Sequence, residues 1–508
     1  MGWSFFAARV RLVLVAFTAI FAVIAVGACG SSSSGSGGTS GSGGSSGSGG
    51  GPSPSADANW WLFGHDYHNT RANTAETTIG VDNVGQLELL WEHVTVQSTS
   101  TPAVVDGIVY YADWSGKLYA KNADDGSEVW TAELAGGTTA SPAVTEDKVF
   151  IGGGGAVLFC VDRETGDVIW SVDVEDHPQA GLTGSAIPID DMVIIGVSSG
   201  EVGNIDPEYD YTFRGSIVAL DQTSGDELWR VYVAEIEDPE TQEVSGAGVS
   251  VWSTAAIDVD RQMMFIGTGQ AYEAPAGPRS DSVIAIDYTT GEVVWVRQFT
   301  ADDVYSLFQT PPQGQDADIG AAPNLFRVNG QDVVGVGDKG GVYAALDRDT
   351  GEEVWTHLLG PGSHLGGVMT AAAYAEGRIF LAQNAFPRGF DTGDVFIPDF
   401  NLPENTSDVV ALDAATGDEI WRVPVESPSI GGFQYANGVV YAAHTLGKLR
   451  AFNAETGDVL WTDQVGFSQA SGTTVADGRL FVTHGFQFIQ IVMAPPGMEG
   501  GIRVYGIK

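Results

Sequence analysis

An all-β chain closed into an eight-bladed β-propeller of four-stranded antiparallel blades is predicted by three observations. One hairpin pattern recurs seven times, the tryptophans that mark it recur at blade-like spacing, and the two ends of the repeat region carry complementary halves of the pattern.

The pattern is two or three apolar residues, Ala or an equivalent, Asp or Asn, a short polar turn with Gly, then Trp. It runs from Leu118 to Trp130, Leu158 to Trp170, Ile217 to Trp229, Val283 to Trp295, Val342 to Trp355, Val409 to Trp421 and Leu449 to Trp461. Each copy reads as a strand, an Asp/Asn…Gly turn and a second strand ending in the tryptophan. Glycine supplies the positive φ of the turn, and the Asp or Asn side chain can bond the turn amides. A second hairpin lies upstream of most copies, as in Pro102 to Tyr111 and Pro142 to Ile151, and two hairpins make one blade. The shortest tryptophan spacings are 39 and 40 residues; longer ones, 59 to 66, place insertions at 171–215, 232–250, 269–282, 299–320 and 385–408. Gly152 to Gly155 sits inside a blade and reads as a strand-to-turn kink.

Asn83 to Trp91 has the second half of the hairpin and lacks the first, while Gly501 to Lys508 has the first and lacks the second. Joined, they complete an eighth blade and remove exposed strand edges. Trp91 and the seven tryptophans above are expected to pack between blades.

Charge is lopsided, with 65 acidic against 23 basic residues and a net −42. That excludes a nucleic-acid partner, which needs clustered cations, and docking on anionic lipid heads. The eight histidines are scattered without metal-ligand spacing, and no Cys-x-x-Cys-His, P-loop or Gly-x-Ser-x-Gly motif occurs.

Residues 1–29 read as a signal peptide: Arg9 and Arg11 precede an apolar run from Leu12 to Val26. Val26-Gly27-Ala28-Cys29 looks like a bacterial lipobox, which makes Cys29 the expected lipidation site. Residues 30–57 are nearly pure Gly and Ser and read as a flexible tether, leaving 58–508 as the propeller. The second cysteine, Cys160, has no partner once Cys29 is acylated, so the fold is expected to hold without a disulfide.

The repeat Ala-Leu-Asp-x-x-Thr-Gly-x-x-x-Trp resembles that of the pyrroloquinoline quinone (PQQ) propellers, from about residue 58 onward. Further segments resemble the polyvinyl-alcohol-dehydrogenase-like branch: Trp61 to Arg71, Thr212 to Asp221, Val251 to Asp258, Phe265 to Gly269 and Ser280 to Asp287. The generic repeat alone is also carried by non-catalytic propeller lipoproteins of outer-membrane assembly. The resemblance implies a PQQ and Ca²⁺ site at the mouth of the central channel, where a planar tricarboxylate needs an aromatic floor, cations and oxygen ligands.

By that resemblance Trp252 is the floor, lying 18 residues before Gln270. Glu201 matches the glutamate metal ligand, and Lys339 the cation that bonds the quinone oxygens. Gln270 stands where the alcohol dehydrogenases place a metal-binding Asn, and Ser306 where they place the catalytic aspartate. Asp303 or Asp302 is the expected substitute. Asp210-Tyr211 replaces a cysteine pair, and Arg214 is expected to pair with an acid. The leading expectation is a periplasmic or outer-membrane alcohol dehydrogenase, with Asp303 or Glu201 as base. A small or polymeric alcohol is its substrate, a separate carrier takes its electrons, and the lipid is its hold on the membrane. The alternative is a propeller lipoprotein that binds proteins or polymers in the cell envelope without catalysis.

Overall fold

An Asp or Asn at the end of one strand captures the amides of the next two or three residues, and a glycine in the left-handed region closes the turn. Asp162 Oδ1 accepts from the Glu164 and Thr165 amides at 3.0 and 2.8 Å, and Gly166 follows at φ +79°. Asp221 and Asn453 repeat the device. These turns join the third and fourth strands of blades 1 to 7. The structure, a computed structural model, describes residues 58–204, 206, 209–234, 236–238, 243–244, 246–306, 314–363, 366–385, 406–466, 471–485 and 499–508. The signal-like segment 1–29 with Cys29, and the Gly/Ser tract 30–57, lie outside them.

Blade 1 comprises Ala103–Val105, Ile108–Ala112, Lys117–Asn122 and Glu128–Glu133, from the axis outward. Blades 2 to 7 follow with inner strands Ala143–Val144, Ile187–Ile189, Ala256–Asp258, Asn324–Val328, Ala373–Ala375 and Gln434–Ala436. Blade 8 is the closure: Thr473–Ala476, Arg479–His484 and Gly500–Gly506 pair outward to Glu88–Thr95 from the other end of the chain. The eight-bladed expectation and the joining of the chain ends both hold.

Two details of the repeat acquire a physical reason. Every blade has a register shift at the residue before its tryptophan, as between Val168 and Trp170 or Leu89 and Trp91. This bulge turns the tryptophan toward the next blade and leaves residues such as Ile169, Leu228 and Val294 half exposed. The tryptophan therefore lies early in the outer strand, which continues beyond it, rather than at the strand's end. Directly opposite each tryptophan sits the small residue of the repeat, Ala in six blades, Cys160 in blade 2 and Val504 in blade 8.

Seven indoles donate to a turn carbonyl of the following blade: Trp91 to Ala123, Trp130 to Arg163, Trp170 to Gln222, Trp229 to Tyr288, Trp295 to Arg348, Trp355 to Ala414 and Trp421 to Ala454, at 2.9–3.2 Å. The turn glycine of that blade packs on the ring face; a Cβ on Gly417 would lie 2.5 Å from Trp355.

The segment Trp60–Asn73 crosses the axis and meets all eight inner strands in order. Trp60 pairs with Val104, Val144 donates to Trp61 O, and the Tyr67 hydroxyl donates to Pro188 O. Ile257, Leu325, Tyr374 and Tyr435 donate to the carbonyls of Tyr67, His68, Thr70 and Arg71, and Asn73 Nδ2 donates to Val475 O. Left-handed φ values at His65, Asn69 and Arg71 let this short segment turn repeatedly.

Candidate functional site

In each blade the first strand begins and the second ends at the same end of the propeller. Every residue expected at a site emerges there. Glu201 follows Met192–Ser199, Gln270 follows Met263–Gly267 and Lys339 follows Gln331–Gly337, whereas Trp252 precedes the inner strand of blade 4 and Asp303 lies ahead of that of blade 5. The insertions 232–250, 269–282 and 299–320 fall in the same connections, 171–215 includes two such connections around the inner hairpin of blade 3, and most of 385–408 lies outside the described residues.

Trp252, Gln270 and Lys339 are brought together by a residue the sequence did not single out, Asp318. Trp252 Nε1 donates to Asp318 Oδ2 at 3.0 Å, and the Gln270 amide N–H donates to Oδ1 at 3.0 Å. Lys339 Nζ lies 2.9 Å from Asp318 Oδ2 and 2.9 Å from Asp316 Oδ1, with its amide donating to Asp318 O. The same ammonium sits 5.5 Å from the centroid of the Trp252 ring. Gly320 makes the place for that ring: a Cβ there would lie 2.0 Å from it.

The Lys339 turn is fixed by Asp338, whose Oδ1 accepts from the Val342 amide at 2.8 Å and whose carboxyl is pushed up to about 7 by burial. Burial works against the Lys339 charge, but Asp316 and Asp318 outweigh it, and the ammonium is held well above its ordinary range. One ammonium cannot neutralise two carboxylates, and burial lifts Asp316 well above the usual carboxylate range. Asp281, also buried, is lifted too, by burial and then by Asp303.

Asp303 stands behind this cluster. Its carboxylate accepts from the amides of Gln315, Asp316 and Ala317 at 2.7, 3.3 and 2.8 Å, so it holds the segment that carries Asp316 and Asp318. Burial raises its pKa against those bonds. Ser306 accepts from the Tyr211 hydroxyl at 2.9 Å. Arg214 donates to Ala234 O and stacks on Tyr232 at 3.8 Å, a carbonyl and a ring taking the place of the expected acid.

Glu201 is fully buried. Its Oε1 lies 3.1 Å from His177 Nε2 and accepts from the Tyr209 hydroxyl and the Thr212 amide, while Oε2 accepts from the Phe213 amide. The neighbouring Tyr272 hydroxyl bonds Ser250 Oγ at 2.6 Å and is pushed up by burial, with the charges of Asp318, Glu201 and Asp316 adding to the rise.

An aromatic plane with an ammonium 5.5 Å from its centre and a glycine against the ring fits a planar quinone, while Asp316 and Asp318 already share that ammonium and offer an anion nothing. The residues fit calcium less well. Glu201 already accepts three hydrogen bonds and lies against His177, and among the described residues no three His, Cys, Asp or Glu side chains are placed to hold a metal.

The family model described as "Glucose/ethanol/alcohol dehydrogenase, beta-propeller domain" matches residues 60–357. The chain belongs to this PQQ propeller family. A second model, "Outer membrane protein assembly factor BamB", matches residues 405–492. Polyvinylalcohol dehydrogenases from Sphingopyxis sp. and Pseudomonas sp. are 27% and 28% identical over 74% and 78% of this chain. The matches span 62% and 66% of those relatives' own length. Among solved structures, the quinohemoprotein alcohol dehydrogenase from Comamonas testosteroni shares the fold with a TM-score of 0.70 at 20% identity, covering 89% of this chain and 81% of that one. BamB from Moraxella catarrhalis does so with 0.55 at 16% identity, covering 83% and 99%. Both the PQQ propeller expected from the repeat and its resemblance to the polyvinyl-alcohol-dehydrogenase branch are thereby shown.

Asp318 carries no sequence signal of its own: it lies between Pro312-Gln-Gly-Gln-Asp316 and Pro323, turn-forming residues within the insertion 299–320, where an acid reads as solvated.

Proposed function

We propose that this chain is a PQQ-dependent oxidoreductase of an alcohol, acting at the insertion-bearing end of the propeller and held on a bacterial membrane by a lipid on Cys29. The observation that carries the proposal is the junction of Trp252, Asp318 and Lys339. When bound, the cofactor supplies the two-electron acceptor for the alcohol's hydride. Trp252 offers the plane on which it stacks, and Lys339 sets a positive charge beside that plane. Asp318 is the group we assign as general base, in place of Asp303 or Glu201. Its two oxygens are oriented by Trp252 Nε1, Lys339 Nζ and the Gln270 amide, in position to take the hydroxyl proton. Asp303 then acts through the segment it holds. Glu201, whose oxygens are taken up by Tyr209, Thr212 and Phe213, and Gln270, whose side chain donates to Tyr305 O, would be the oxygen ligands if a cation binds with the cofactor.

Electrons leave to a separate carrier, the substrate is a small or polymeric alcohol, and the body stands in the cell envelope. A second reading, a non-catalytic envelope scaffold, draws on the similarity of residues 405–492 to the BamB model.

Dye-linked alcohol oxidation by the PQQ-loaded protein distinguishes the two. Asp318→Asn is expected to lower kcat by roughly 10²–10⁴-fold, the worth of a positioned base, while Asp303→Asn retains the chemistry and loses stability. Absence of PQQ-dependent turnover across primary and secondary alcohols would leave the scaffold reading.

A further inference from the structure

The chain enters the propeller at the end opposite the site. Asn59 exchanges hydrogen bonds with Asp106, in the turn between the first two strands of blade 1: Asn59 Nδ2 donates to Asp106 Oδ1 and the Asp106 amide donates to Asn59 Oδ1. Such turns lie at the far end of each blade from the connections that carry Glu201, Trp252, Gln270 and Lys339. After crossing the inner strands, the chain stays at that end. Glu76 Oε2 accepts from the Gly478 amide in the equivalent turn of blade 8, and Asn437 Nδ2, in that of blade 7, donates to Ile79 O. Lys508 lies there too, 3.2 Å from Glu88 at the start of the outermost strand of blade 8.

We infer that the anchored protein turns its hairpin-turn end to the bilayer and opens its site toward the aqueous side, so that its reactants come from solution or from a soluble polymer and not from the lipid phase. The inference rests on the lipid-anchor reading of Cys29. A Gly/Ser chain of 28 residues (30–57) spans roughly 30 Å, and the strands alone separate the two ends of the body by roughly 20 Å. Bringing the site to the bilayer would require that chain to run around the rim as well as along this height. A net charge of −42 over the whole chain gives the body no general attraction for anionic lipid.

The test replaces residues 1–29 by a hexahistidine tag held on nickel-chelating lipid in phosphatidylcholine vesicles, so that attachment does not depend on acylation in the cell and does not compete with the introduced cysteine for the dye. A donor dye is placed on Glu146→Cys, in a hairpin turn of blade 2, or on Asp210→Cys, at the site end; both positions are exposed. Cys160 stays unlabelled because it is buried and its thiol is pushed up to about 12 by burial. Energy transfer to acceptor lipids is expected to quench the dye at 146 and to be lost for the dye at 210. Equal quenching at both, or the reverse order, overturns the orientation. Membrane release of Cys29→Ser in cells tests the anchor separately: failure there removes the anchor while leaving the vesicle result to judge the geometry.

Discussion

Asp318 owes its chemistry to its neighbours: an indole N–H, a backbone amide and an ammonium all point at one carboxylate. Elsewhere burial sets the state of single residues. His444 is held down to about 3 by burial and then by Arg450, and His484 to about 4 by burial and then by Arg503. Both stay neutral in the folded protein and take up protons near 6.5 once unfolded, so the unfolded state binds more protons below that pH. Stability is therefore full above pH 6.5 and lost as the pH falls toward 3, by about 1.4 kcal/mol per unit for each histidine. Urea unfolding at pH 7 and pH 5 should show that loss in the wild type and a smaller one in His444→Gln. At this scale Trp252 and Lys339 were legible, the first as a tryptophan outside the repeat and the second as a rare cation in a glycine turn. Asp318 was not, because a buried carboxylate is defined by partners 21 to 66 residues away, and spacing does not encode them.

The blade is the element, and its seam is a tryptophan clamped between a small residue opposite and a glycine turn ahead. Two glycines separate the parts of that seam. Gly377 and Gly417 have nearly the same backbone, φ +74° and +76°, but a Cβ at 377 meets nothing within 4 Å and one at 417 meets Trp355. Gly377→Ala should cost about 1–2 kcal/mol for the left-handed backbone alone. Gly417→Ala should cost about 1–3 kcal/mol more for the overpacked ring, read as the difference between their urea midpoints. Equal losses would show that the turn, not the indole, sets the seam. The hairpins, their turns and the closing blade were readable because alternation and Asp…Gly chemistry are local signals. The bulge beside each tryptophan was not, since it adds one residue without changing the apolar pattern.

Across the whole molecule, the ring is closed twice, by Glu88–Thr95 joining blade 8 and by Trp60–Asn73 joining all eight inner strands at the axis. Removing residues 58–73 should lower stability by several kcal/mol, at about 1 kcal/mol per hydrogen bond, and a synthetic peptide of that segment should restore the unfolding midpoint. This axial crossing left no periodicity to read, because only Ala72–Asn73 of it forms a strand and the rest bonds one blade after another. It also divides the molecule by end, with the chain entering at one and the Trp252–Asp318–Lys339 junction at the other. The measurement that tests that junction most directly is an equilibrium titration of the purified protein with PQQ, followed by tryptophan emission and cofactor absorbance, beside Trp252→Ala and Lys339→Met. The account predicts saturable binding to the wild type, lost with Trp252→Ala and weakened with Lys339→Met; no binding to the wild type, or binding indifferent to both substitutions, would contradict it.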